Sequence, residues 1–253
     1  MEYTDFLVAI FRWLHIAAGL FFIGLSWWFN FIFLPFTLST DGETRIKSML
    51  ELVSRALYWF RWSALYTGLL GTLLLAIVFY GGELTIEGQA SWTAGSYIMV
   101  AVTFLSYRLY HVLAKSPMAK DIRVFGAVSI VFLALFIYCM VEYGHFSYRG
   151  YVIHAGVLFG VIMIGNVWEK IWPAQKKILV ALRSGSIPDS AMIAQVAQFE
   201  RHNAYLSVPL LWTMIGAHTA VPAANSWWYL VCAILVGWAL VAFIFSRSGK
   251  LKA

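Results

Sequence analysis

The chain is 253 residues long, 61% hydrophobic and only 12% charged, with a formal charge of +6 and a mean hydropathy of +0.76. Soluble domains are about half apolar and about a quarter charged, so this balance excludes an ordinary soluble enzyme and points to packed helices in a membrane. The positive charge is no nucleic-acid signal, because the basic residues follow the sides of a membrane, and neither G-x-x-x-x-G-K-[ST] nor H-E-x-x-H occurs.

Glu2 and Asp5 open the chain where a signal peptide would carry Lys or Arg, and the apolar run that follows is too long for an h-region. No cleavable signal is expected, and the first span stays in the mature protein. Seven apolar runs follow in order: Phe6–Leu38, Leu57–Tyr80, Trp92–Leu113, Val124–Val141, Tyr151–Trp172, Ala204–Val221 and Trp227–Phe245. About 20 apolar residues cross a bilayer core, so the fold class is an all-α, polytopic membrane helix bundle of about seven transmembrane helices. It is read as a single transmembrane helical domain over residues 1–253. The 12 Trp, 13 Tyr and 19 Phe suit interfacial belts and a crowded bundle.

The connections alternate in charge. Arg45, Lys47, Arg55 and Arg61 belong to the first connection, and Arg108, Lys115, Lys120 and Arg123 to the third, with Arg108 at the end of the run before it. Lys170, at the end of the fifth run, belongs with Lys176, Lys177, Arg183 and Arg201 to the fifth connection, and Arg247, Lys250 and Lys252 close the chain. Only Arg12 and Arg149 fall on the other side. The positive-inside rule then puts the N-terminus outside and the C-terminus in the cytoplasm, as an odd number of spans requires. Gly42–Ala56 and Ala174–Asn203 have apolar residues at helical spacing. They either lie as interfacial helices on the inner leaflet or extend the spans beyond it. A break falls at Ser184–Pro188, after which Asp189 is placed to cap a helix. Cys139 and Cys232 lie in apolar runs and read as packed small residues rather than a disulfide or metal pair. The runs beginning at His15 and His154 look alike and end at Pro35 and Pro173, a faint sign of internal duplication.

Six histidines carry the chemistry. An ionisable ring inside a span usually faces the protein interior and has a role. His15 lies about 13 Å below the outer end of the first run, at 1.5 Å per residue. His154 is a turn inside the fifth run, and His218 is near the outer end of the sixth. His145 is in an outer connection. His111 and His202 lie at inner ends, where structural or capping roles are favoured. Two imidazoles at matched depth on different helices are what a six-coordinate b-type haem needs. The expected axial ligands are His15 and His154, with His218 as the alternative. Ala18, Gly19, Gly156 and Gly160 offer small neighbours for the macrocycle, and Arg12 and Arg149 are positioned for its propionates. The competing reading makes each histidine a core residue bonded to a neighbouring carbonyl. Non-haem metal ligation fits less well, since the carboxylates Glu142 and Glu169 lie at span ends.

His154-A-G-V-L-F-G-V-I-M-I-G, Asn166-Val167, Pro173-A-Gln175-Lys176, His202-Asn203-A-Tyr205-Leu206-S-V-Pro209 and His218 together resemble the N-terminal membrane domain of the bacterial membrane-bound urate oxidase family. The opening R-W-L-H is similar as well. The resemblance is most specific over Tyr151–His218. It implies a multi-span protein of a bacterial inner membrane working in a redox pathway. Known members also carry a cytochrome c domain. This sequence has no C-x-x-C-H, so a separate cytochrome c or other redox subunit on the outer face is the expected partner, beside the lipid bilayer itself. Three readings follow. One is a b-type cytochrome-like electron-transfer protein, alone or as a subunit of a larger redox complex. A second is an oxidase of urate or another small reductant, with Arg12, Asn30 and Asn166 as ring or anion contacts. The third is a non-catalytic interaction subunit.

Overall fold

The computed structural model describes residues 2–88, 91–219 and 226–250. Val221, the expected end of the sixth run, and Lys252 in the tail lie outside them. Seven long helical segments account for nearly all of the rest. The first, α1, runs as an α-helix over Glu2–Trp27, widens to a π-helical turn at Trp28–Phe33 and finishes as Leu34–Ser39. Asp41 accepts the Thr44 N–H at 3.0 Å and caps the next segment. This is α2, continuous over Gly42–Tyr80 with π-helical turns at Met49–Val53 and Leu75–Tyr80. A reciprocal Thr93–Ser96 capping box opens α3, Ala94–Lys115. Asp121 caps α4, Ile122–Glu142. The fifth, α5, is continuous over Tyr148–Arg183. The sixth, α6, covers Ser190–Gly216 with Pro209 inside it, and α7 covers Trp228–Ser248.

Two of the open choices in the sequence are thereby decided. Gly42–Ala56 and Ala174–Arg183 are not separate interfacial helices but extensions of α2 and α5. The break after Arg183 is real, with Gly185 at φ +69, and Asp189 does cap α6 through the Ala191 N–H at 2.8 Å.

The π-helical turns of α1 and α5 have one cause. Each is followed by a proline that continues the helix, Pro35 or Pro173. Proline cannot donate to the carbonyl four residues back, and its ring crowds that carbonyl. In both helices the residue before the proline donates five residues back, Leu34 to Phe29 and Trp172 to Val167, which opens the turn where the ring must fit. Each π turn starts at the same distance beyond its histidine (Trp28 after His15, Val167 after His154), which extends the sequence likeness of the two helices.

Six helices are long and apolar enough to cross a membrane: α1 to α5 and α7. In α5, 72% of the apolar window is buried, against 11–28% in the other five, so α5 is the most enclosed of the six. Trp13, Leu20, Ile32, Leu69, Phe132 and Val236 point outward, as lipid contact demands. Among the described residues, α6 is not one of the six. It carries Glu200, His202, Asn203, Ser207 and Thr213, and all five are buried.

The chain forms two compact units. The first comprises Met1–Thr72, Met163–Ser207 and Ala239–Ala253. Its core holds Phe22, Phe60, Ala64, Met163 and Ala204, and the Phe60 ring lies 5.4 Å from both Phe22 and Phe29. The Arg61 guanidinium sits over Trp172 at 4.6 Å, with Tyr58, Trp62 and Trp168 around it. The second unit comprises Leu73–Ile162 and Val208–Trp238. Here the connections after α2 and α4 are stitched by an Ile86–Phe146 bridge and by Ser147 N–H donating to Thr85 O at 2.9 Å. Gly150 packs so tightly on the Thr85 carbonyl that no Cβ would fit. Cys139 and Cys232 are both free. The first is half-buried, but the second is exposed rather than packed.

Candidate functional site

Of the candidate ligands, His15 belongs to the first unit. It is half-buried on α1, and its Nδ1 lies 3.0 Å from the Thr67 carbonyl of α2. A carbonyl only accepts, so Nδ1 carries the proton and Nε2 keeps its lone pair. Facing the ring is Gly71, where a Cβ would come within 2.9 Å of His15 Cε1. Two residues in α2 therefore seat the imidazole, one by its carbonyl and one by lacking a side chain. Arg12, one turn away, is exposed.

His154 belongs to the second unit and is completely buried. Its Nδ1 lies 2.7 Å from the Gly150 carbonyl one turn earlier, so that nitrogen again bears the proton. Its Nε2 accepts the Tyr80 hydroxyl at 2.8 Å. Phe146 packs edge-on to the imidazole at 4.8 Å, and Trp92 flanks Tyr80 at 5.5 Å. Tyr80 is the last residue of the π-helical turn that ends α2. Its neighbour Phe79 meets His218, ring centroids 5.7 Å apart. The end of α2 thus stands against both histidines. His218 is not inside a span. It lies two residues past the last helical residue, Gly216, and is exposed. Arg149 is half-buried, and its Nε is enclosed without a hydrogen-bond partner.

The small residues expected to make room for a macrocycle divide. Gly160 has open space beside it. A Cβ on Gly156 would instead run into Met214 and Thr213 of α6, so this glycine serves helix packing. Gly19 is at ordinary contact distance from Thr67. Among the described residues no three His, Cys, Asp or Glu side chains gather as a metal site.

A second feature of the first unit has no counterpart in the expectations. Glu200, Asn203 and Ser207 recur at i, i+3 and i+7 on one face of α6, and each meets a polar partner. Asn30, in the π-helical turn of α1, donates through Nδ2 to the Ser26 carbonyl at 2.8 Å and the Glu200 carbonyl at 3.2 Å. The same nitrogen lies 3.5 Å from the Glu200 carboxyl. Asn166 donates to Asn203 Oδ1 at 2.9 Å, and Asn203 donates to the Met163 carbonyl at 3.2 Å. Trp27 donates to Ser207 Oγ at 2.7 Å. Asn30 and Asn166, considered above as ring contacts, spend these amides inside the protein. The i, i+3, i+7 spacing of polar residues across the start of the sixth apolar run was the signal available in the sequence. Tyr80, Thr67 and Gly71 left none.

A multi-span helical protein with helical histidines seated on backbone carbonyls, and one helix turned polar side inward, is the class that fold and site define. Residues 49–252 match the family described as Urate oxidase N-terminal. The chain belongs to that family. The matched stretch starts within α2 and includes His154, Glu200, His202 and His218 but not His15 or Asn30. No curated protein and no solved structure matches the chain.

Proposed function

We propose that this protein is a membrane electron-transfer domain of the b-type cytochrome kind, with haem b held through His15. The carrying observation is the His15 ring. Its Nδ1 proton is committed to the Thr67 carbonyl and Gly71 clears its edge, leaving Nε2 as a lone pair. Ligating histidines typically tie their other nitrogen to a carbonyl or carboxylate in this way, which fixes tautomer and ring orientation. His154 is the proposed second ligand, a pairing that rests on matched depth in the sequence. Its Nδ1 is committed to Gly150 in the same manner, and its Nε2 becomes available when the Tyr80 hydroxyl turns away. His218 is the alternative. Arg149, with a donor that has no partner, suits a propionate, and Arg12 would serve one from an exposed position. When bound, the haem supplies the one-electron chemistry. The protein seats the ring nitrogens of both histidines, and it encloses His154 completely. A cytochrome c or another redox subunit is the proposed electron partner, in a bacterial inner membrane.

The test is an optical spectrum of the purified, reduced protein with a pyridine haemochrome assay. The wild type should show a Soret band with sharp α and β bands, and His15→Ala should lose them while eluting as a monodisperse peak. A folded wild type without haem sinks the proposal. The family description favours one further reading, oxidation of urate or another small reductant. Substrate-dependent reduction of the haem, or of added cytochrome c, would separate it from plain electron transfer.

A further inference from the structure

Glu200 has no part in a haem site at His15 or His154, yet it is the one buried carboxyl among the described residues. It sits on α6 with only 7% of its surface exposed. Its side chain has one hydrogen-bonding partner, the Asn30 amide at 3.5 Å, at the far limit of a hydrogen bond. Among the described residues, no charged group is paired with it. Arg201, next along α6, is exposed and lays its guanidinium over Phe245 at 5.5 Å. His202 is buried and turns its ring to Phe199 at 6.0 Å. From α1 the facing group is the neutral Asn30. An ionised carboxylate without a cation or several donors is costly in such a place, and the usual resolution is to bind a proton. One turn before Asn30, the Ser26 hydroxyl is completely buried and has no hydrogen-bond partner. Asn30 itself sits on a π-helical turn, a local widening that recurs at functional sites.

We propose that Glu200, strapped to α1 by Asn30, is a proton-binding site that loads and unloads from water. The carboxylate takes up one proton as its O–H bond forms, and gives that proton back to water when the bond breaks. No oxidant or cofactor is needed. Asn30 holds the backbone of α6 through the Glu200 carbonyl whatever the charge state, while its contact to the carboxyl favours the unloaded anion. Glu200 is thus an exchangeable site inside an otherwise fixed polar seam.

Infrared difference spectroscopy on the full chain in lipid nanodiscs reads this without any haem. Wild type at neutral pH should show the carbonyl stretch of a protonated carboxylic acid, shifted in D2O and missing from Glu200→Gln. Alkaline titration should remove the band reversibly in one step. Asn30→Ala, which deletes the donor that favours the anion, should raise that midpoint by about one pH unit. Replacing sodium by choline should leave the band unchanged. A band absent at neutral pH, a band that never exchanges in D2O, or one that appears only when sodium is withdrawn each overturns the proposal. The last would make the site a cation site instead. Because Glu200→Gln keeps shape and backbone bonds, its far-UV circular dichroism serves as the folding control.

Discussion

At the scale of residues, the imidazoles of His15 and His154 are alike on one edge and different on the other. Each gives its Nδ1 proton to a backbone carbonyl. Beyond that, His154 Nε2 is taken by Tyr80 while His15 rests against Gly71. Two opposed outcomes follow for Tyr80→Phe. Without haem, removing the hydroxyl strands a buried acceptor, a loss of about 1–3 kcal/mol, so the thermal midpoint of haem-free protein should fall. If Nε2 is an iron ligand, the same change removes its competitor, and haem content per protein should rise. A fall in both would assign His154 to structure alone. Gly71→Ala forces the His15 ring to shift, because its new methyl would come 2.9 Å from Cε1. Overpacking of this kind costs about 1–3 kcal/mol, and a lowered melting midpoint with a broadened haem α band is expected. Gly24→Ala, which meets nothing within 4 Å, should change neither measurement.

At the scale of elements, helix continuity rather than helix placement is the surprise. The apolar runs locate six of the seven segments well, since the span pattern depends only on length and hydropathy, whereas α6 starts at Ser190, ahead of the expected Ala204. Whether Gly42–Ala56 stands apart or continues α2 was not legible, because the same amphipathic spacing serves both. The sequence shows Pro35 and Pro173, but not that the preceding turn shifts its bond to the fifth residue back. One local element has a predictable response to acid. The Thr44 N–H holds the Asp41 carboxyl below the usual range. A depressed folded value means that the cap's contribution is present above the unfolded value, about 3.9, and is lost as pH falls through the lower folded one. Asp41 is fully exposed, so the effect stays local. Amide exchange at Thr44, corrected for intrinsic rate, should lose protection below that pH in wild type, and Asp41→Ala should show the loss at all pH values. Unchanged protection in the variant would remove the capping role.

At the scale of the whole molecule, composition and charge alternation made the membrane bundle readable, and the family match over residues 49–252 agrees with the resemblance seen in its fifth and sixth runs. The polar seam was not readable, because its pairs join residues as distant as Trp27 and Ser207. Nothing local marks such partners. Orientation is an expectation with a direct test. In a variant lacking Cys139 and Cys232, a single cysteine at Ser186 should be shielded from an impermeant maleimide in intact cells, and one at Glu83 should react. The reverse pattern would invert the proposed topology and move His15 to the inner half of the membrane.

The inward-facing polarity of α6 also bears on how the protein is made. A translocon sorts each segment by its own hydrophobicity, and charged residues at mid-helix weigh against entry by about 2.5–3.5 kcal/mol each. With Glu200, Arg201, His202 and Asn203 in succession, α6 is a poor client on its own. Its polar face is answered by Asn30 and Trp27 of α1 and by Asn166 and the Met163 carbonyl of α5, all synthesised earlier. Entry of α6 is therefore a joint event that waits for helices already in the membrane. In a glycosylation reporter, isolated α7 should integrate and isolated α6 should not, and α6 should gain integration when α1 to α5 precede it.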